Sequence, residues 1–265
     1  MGLVDIRPTV RRRIARLSSY IVFVAIVVVL VSLANWPHIV RVFFNWSVAK
    51  MMWPRILLAG VNTIWYTAVC FLIGLVLAVV FALLKMSRGP FKWFAVVYIE
   101  FFRGIPALLT ILFMAFAIKI AFPGVNLPGG LLGGGMIALI IVTSAYTAEI
   151  IRAGIVAVPV GQQEAARSLG MSQMRATMTV ILPQAFRIVI PPLTNEFVTL
   201  LKDTSLLYIV GLTVMQKELT TFGKDGLSTY ANSTPLIAVA VLYLIITIPL
   251  TYLVSRLEKS MAVKK

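Results

Sequence analysis

From Ile21 to Val31 the chain sets eleven apolar residues in succession, with no polar residue among them. A run of this kind cannot alternate between a wet and a dry face, so it is buried on all sides by protein or by lipid. Five further apolar segments accompany it, giving stretches near 18–36, 56–84, 93–121, 131–154, 185–211 and 233–255. About 20 helical residues cross the hydrocarbon core of a bilayer, and each segment reaches or approaches that length. A transmembrane β-barrel needs segments of ~10 residues that alternate apolar and polar, and these do not alternate. The fold class expected is therefore all-α, a polytopic transmembrane helix bundle. Composition agrees: 60% of residues are hydrophobic and 12% charged, against about 45–50% and ~25% in soluble domains.

The net charge of +15 would suggest nucleic acid in a soluble protein. Here the basic residues flank apolar runs and act as topology signals, so no nucleic-acid partner is expected. With a cytoplasmic N-terminus and six crossings, sixteen of the 24 Lys and Arg fall inside and five outside. The inner set includes Arg11, Arg12, Arg13, Lys85, Arg88, Arg152, Arg167 and Arg175; the outer set is Arg41, Lys50, Arg55, Lys217 and Lys224. Both termini are expected in the cytoplasm. The first segment, with its apolar run from Tyr20 to Ala34, also has the shape of a cleavable signal peptide, Ser32 and Ala34 being the small residues before a cut. The later helices keep the same orientation in either case, and the segment is taken as a retained helix.

Cys70 is the single cysteine and His38 the single histidine, which leaves no framework for disulfides or a His-based metal site. The glycines at 129, 130 and 133–135 are expected to form a flexible outer loop leading into a helix. No Lys-Ser/Thr follows them and no G-x-x-x-x-G-K-[ST] occurs elsewhere, so the chain has no Walker motif with which to bind ATP. No cofactor and no catalytic residue is assigned to it.

Ionisable residues inside apolar segments cost at least ~2.5–3.5 kcal/mol and so require a partner, a wet cavity or a function. Glu100 and Arg103 stand three apart, as do Glu149 and Arg152, and each pair reads as a local ion pair on one helix face. Lys119 lies close enough to the outer boundary to reach water. The segment 185–211 differs. Glu196, Thr199 and Asp203 share one face at i, i+3 and i+7, with Asn195 and Lys202 at its margins. Pro191-Pro192 upstream removes two backbone donors and points to a kink or break. Broken helices with polar groups at depth are where transporters commonly bind substrate. Asp203 and Glu196 are the candidate partners for an ammonium group, and Lys202 or helix-end N–H groups for a carboxylate. The competing account is that Lys202 and Asp203 only neutralise neighbours in a packed bundle. Thr143, Ser144 and Thr147 offer hydroxyls from the preceding segment, or else bond the carbonyls of the turn before them.

Between the fourth and fifth segments, residues 159–183 form a polar stretch too long for a turn. Gln162–Leu169 is rich in helix formers, Gly170 interrupts it, Ser172 can cap a second short helix through Val180, and Pro183 punctuates before the next span. By itself this reads as a helix lying on the lipid surface. The residues Glu164-Ala165-Ala166, Gly170 and Leu182-Pro183 nevertheless resemble the EAA loop of membrane subunits of ATP-binding-cassette importers, with Val180 where that pattern has isoleucine. Glu100-Phe101-Phe102-Arg103-Gly104-Ile105-Pro106, Ala145-Tyr146-Thr147-Ala148-Glu149-Ile150, and Asn195-Glu196-Phe197 with Lys202-Asp203-Thr204-Ser205-Leu206 resemble the polar-amino-acid branch.

The resemblance spans residues 56–257. It implies a type I importer permease fold with a five-helix core, to which residues 1–50 add a basic tail and one extra transmembrane helix. It further implies a bacterial cytoplasmic (inner) membrane protein that does no chemistry of its own. A second permease subunit, identical or related, would complete the path for glutamate, glutamine or basic amino acids. Two ATPase subunits would bind ATP and magnesium and seat on the loop through Glu164, Ala165, Ala166 and Gly170. An extracytoplasmic binding protein would deliver substrate. The alternative is an ion-coupled secondary transporter, which often carries an internal repeat; none is visible here.

Overall fold

The computed structural model describes residues 8–261, and within them the regular structure is all helical, with no strand. The order is α1 (Pro8–Leu33), α2 (Trp36–Phe43), α3 (Trp46–Met52), α4 (Arg55–Met86), α5 (Pro90–Gly104), α6 (Ala107–Leu112) and α7 (Ile118–Ala121). Then follow α8 (Gly130–Val156), α9 (Val160–Ser168), α10 (Gln173–Ala176), α11 (Leu182–Asp203), α12 (Leu219–Tyr230) and α13 (Thr234–Met261). Among the described residues, five stretches are long and apolar enough to cross a membrane alone: Arg16–Leu33, Arg55–Met86, Gly130–Val156, Gln173–Val210 and Thr234–Lys259. The tail residues Arg7, Lys264 and Lys265 lie outside the described residues.

The segment 93–121 is not the single straight crossing that its hydropathy implies. α5 and α6–α7 meet at an angle of 105° across Ile105-Pro106. Pro106 has no N–H to continue the ladder, and it forces Ile105 into an extended conformation, φ −101° and ψ 137°. Pro191 and Pro192, by contrast, break nothing: α11 runs from Leu182 to Asp203 with both inside it. The change of geometry comes about three turns later, where the α-helix tightens into a 3₁₀ segment, Thr204–Val210. Pro183 also fails to punctuate. It occupies the first turn of α11, where an N–H is dispensable, and a π-helical turn, Thr177–Ile181, joins α10 to α11 without a gap.

α8 is the central element. It packs along α4 and also against α5, α6 and α11, and Ala138, Leu139, Ala145 and Ala148 are buried on it. The glycine run is part of this helix rather than a flexible loop. Gly129 caps α8 at φ +77°, and Gly133–Gly135 lie inside it. A Cβ on Gly134 would stand 2.8 Å from Ala115 Cα, and one on Gly135 2.7 Å from Leu207 Cδ2. The small residues thus let α8 approach the π-helical turn Phe113–Ala117 and the 3₁₀ segment closely.

α1 stands apart, with none of its apolar window buried against the rest. The chain rejoins the bundle through α2 and α3. The Ser233 N–H donates to the Val42 carbonyl at 2.9 Å, Asn232 Nδ2 to the Arg41 carbonyl at 3.0 Å, and the Asn45 N–H to Thr234 Oγ1 at 2.9 Å. Val48 and Met52 of α3 then bury themselves with Ile56, Ala59, Leu219 and Val239.

Candidate functional site

The elbow at Ile105-Pro106 leaves a cavity of about 350 Å³ between itself, α8 and α11. Arg103, Gly104 and Ala107 come from the elbow, Leu139, Val142, Thr143 and Tyr146 from α8, and Glu196, Thr199 and Asp203 from α11. The helical spacing 196, 199, 203 places the last three on one face, and 139, 142, 143, 146 does the same for α8. Backbone bent away from a regular ladder at membrane depth is tolerated where it lines a cavity, as the elbow does.

Arg103 is the residue that sequence reasoning misplaced. Its expected partner, Glu100, is taken by Lys85, with Nζ 3.0 Å from Glu100 Oε1 and 3.0 Å from Glu149 Oε2. Glu149 does pair with Arg152 as expected, at 2.6 Å. Lys85, Glu100, Glu149 and Arg152 therefore form one network joining α4, α5 and α8, and Arg103 is left out of it. The Arg103 guanidinium lies over the Tyr146 ring at 5.5 Å, and the Tyr146 hydroxyl donates to the Arg103 carbonyl at 3.3 Å. Among the described residues neither Arg103, Glu196 nor Asp203 makes an ion pair. The cavity consequently holds one guanidinium and two carboxyl groups that do not neutralise each other. An ionisable residue next to X-Pro inside an apolar run was the available signal, outweighed by the nearer Glu100.

The other sequence candidates separate. Glu196, Thr199, Asp203 and Thr143 line the cavity; Asn195, Lys202, Ser144 and Thr147 do not. Lys202 is exposed and outside it, so it is not placed to take a carboxylate there. The Ser144 hydroxyl donates to the Ile141 carbonyl at 2.7 Å and is 2.7 Å from the Tyr98 hydroxyl, a structural role. Thr147 is fully buried with its hydroxyl unpaired among the described residues. Thr199 Oγ1 donates to the Asn195 carbonyl at 3.1 Å, which leaves its lone pairs toward the cavity.

The loop after α8 forms a second surface. α9 ends at a left-handed Gly170, φ +80°, with the Gly170 N–H donating to the Arg167 carbonyl at 3.0 Å and the Met171 N–H to the Ala166 carbonyl at 3.2 Å. This paired closure is the Schellman arrangement that glycine serves best. Ser172 caps α10, accepting from the Arg175 N–H at 3.3 Å. Ala166 is buried, while Glu164, Ala165 and Gly170 face outward beside the exposed side chains of Val160, Leu169 and Met174. The loop thus exposes one carboxylate and several apolar side chains.

Residues 72–263 match the family described as binding-protein-dependent transport system inner membrane component. The chain belongs to that family. It is 44% identical over 192 residues to the probable glutamine ABC transporter permease GlnM of Bacillus subtilis, covering 70% of this chain and 85% of that one. It is 42% identical over 161 residues to the L-cystine permease TcyB of the same organism, covering 60% and 67%. A solved amino acid ABC transporter, crystallised with histidines, superposes at a TM-score of 0.73 with 37% identity, over 81% of this chain and 97% of that one. The protein is thus an integral inner-membrane permease subunit of an amino-acid ABC importer, and not a catalytic chain. Family membership also disposes of the ion-coupled alternative.

Proposed function

We propose that the cavity between the elbow, α8 and α11 is the station at which a polar or charged α-amino acid pauses on its way inward. The observation that carries this reading is the separation of charge around one space. A zwitterion presents a carboxylate and an ammonium group a few bonds apart. Arg103 offers a planar donor fork to the first, and Asp203 and Glu196 offer acceptors to the second. Thr143 and Thr199 add neutral hydrogen-bonding groups. The named relatives handle glutamine and cystine, which fits a site that reads the amino-acid backbone rather than one side chain; glutamate and basic amino acids remain within the same chemistry.

In the same reading, two ATPase subunits seat on the loops carrying Glu164, Ala165 and Gly170, one loop from this chain and one from a second permease, and supply the ATP and magnesium. A binding protein delivers substrate on the outer side, and both termini lie in the cytoplasm. Closure of the ATPases moves α9 and α10. The π-helical turn transmits that movement directly into α11, which carries Glu196 and Asp203. The helix α1 remains an addition outside the translocating core.

The test uses the assembled transporter in proteoliposomes with its binding protein. Losing one charge-assisted hydrogen bond costs ~1.5–3 kcal/mol, about ten- to a hundredfold in affinity. Asp203→Asn and Arg103→Gln should each raise the substrate concentration for half-maximal uptake by that factor while assembly and basal ATP hydrolysis persist. Normal uptake by both variants would refute the assignment.

A further inference from the structure

We propose that the groove between α3, the start of α4 and α13 binds one anionic phospholipid, its phosphate on Lys50 and an acyl chain along α13. The groove encloses about 460 Å³. Its floor is Met52 and Ile56, both buried, and its wall on α13 includes Ala238, Val241 and Ile245. Ala238 to Ile245 is about 10 Å along a helix axis, most of a leaflet's ~15 Å of hydrocarbon.

The mouth has a different chemistry. Lys50 is the only charged residue lining the groove, and its ammonium lies 5.7 Å from the centroid of the Trp46 ring. Trp46 and Trp53 also line the groove, both well exposed. Tryptophan with lysine is the combination found at the headgroup level of a bilayer. No Asp or Glu occurs between Asp5 and Glu100, and Lys50 makes no ion pair among the described residues. The one acid described on α13, Glu258, lies thirteen residues beyond Ile245, about 20 Å further along the helix. The cation therefore has an aromatic face but no anion among the described residues, and it borders an apolar slot. A lipid phosphate supplies that anion while its tail fills the slot.

The site is also built rigidly. Asn45 caps α3 by accepting from the N–H groups of Ser47 and Val48 at 3.1 and 3.3 Å. Its own N–H is tied to Thr234 at the head of α13, so α3 and α13 are fastened together. Ordinary boundary lipid contacts any apolar surface and does not discriminate by headgroup. A fixed slot with one cation does.

The experiment is native mass spectrometry of the assembled permease–ATPase complex, released from detergent micelles holding equal amounts of phosphatidylglycerol and phosphatidylcholine of the same acyl chains. One basic residue at a membrane surface is worth about a fivefold preference for an anionic lipid. The wild-type complex should retain phosphatidylglycerol over phosphatidylcholine by about that factor. Lys50→Gln should retain both equally, and Val241→Trp, which fills the slot, should lose the bound lipid of either kind. Excess inorganic phosphate should not displace phosphatidylglycerol. The proposal is overturned by equal retention in the wild type, or by a preference that survives Lys50→Gln. Displacement by phosphate would show an anion site without a lipid, and unchanged retention in Val241→Trp a groove covered by α1 or another subunit; each overturns it as well.

Discussion

Replacing Gly134 with alanine puts helix propensity and packing in direct opposition. In an isolated helix the change stabilises by about 0.8–1.0 kcal/mol. Here the new methyl group would lie 2.8 Å from Ala115 Cα, 2.9 Å from the Met114 carbonyl oxygen and 3.2 Å from Ala115 N. All three atoms are backbone, so no rotamer change relieves them. Ordinary contact between such atoms begins near 3.5 Å, and α8 must retreat from the π-helical turn by roughly 0.7 Å or more to restore it. That retreat opens the packing of Gly135 against Leu207 as well. Overpacking typically costs 1–3 kcal/mol, and a backbone-to-backbone clash belongs at the upper end. The expected net loss is about 1–2 kcal/mol, a fall of roughly 2–8 °C in thermal midpoint for a chain of this size. The assay is thermal unfolding of the detergent-purified complex by tryptophan fluorescence. Gly161→Ala is the control. A Cβ there meets nothing within 4 Å, so it should leave the midpoint unchanged or raise it by no more than ~1 kcal/mol allows. A rise in midpoint for Gly134→Ala would refute the claim that this glycine exists for close approach.

Gly170→Val should uncouple ATP hydrolysis from uptake while the subunit still inserts, because a β-branched residue is strained at φ +80° even though its Cβ would meet nothing; coupled uptake at the wild-type rate would count against the loop's role. Cysteines placed at Gln173 and Asn126 should label from the cytoplasm and from outside respectively, and labelling of both from one side would overturn the orientation. Glu218 caps α12 from a fully buried position, accepting from the N–H groups of Thr220 at 2.5 Å and Thr221 at 2.6 Å. Burial pushes its carboxyl above the usual carboxylate range, although the bonds from Thr221 and Thr220 oppose the shift. The folded state then holds the proton more tightly than the unfolded one. The resulting stabilisation is complete below the ordinary glutamate value and is lost as pH rises through the raised one. The difference in thermal midpoint between wild type and Glu218→Gln should therefore fall across that window, and a difference independent of pH would contradict it.

Periodicity and hydropathy act locally, and what depends on them was legible in the chain itself. The apolar runs determined that it is a helical membrane protein, since only helices and closed barrels satisfy backbone in lipid and runs that do not alternate exclude the barrel. The turn chemistry of Gly170 and Ser172 determined the ends of α9 and the start of α10, because caps involve residues three or four apart. The face shared by Glu196, Thr199 and Asp203 followed from 3.6 residues per turn. Partnership across the bundle was not legible in this way. Glu100 and Arg103 have ideal spacing for each other, yet Lys85, 15 residues away in sequence, reaches Glu100 once α4 and α5 pack. That exchange frees Arg103 to face α11. Proline carried the same ambiguity: Pro106 breaks its segment, whereas Pro191 and Pro192 do not. The carbonyls a proline orphans cost little or much according to what surrounds them, and only the packed neighbours of each helix decide that.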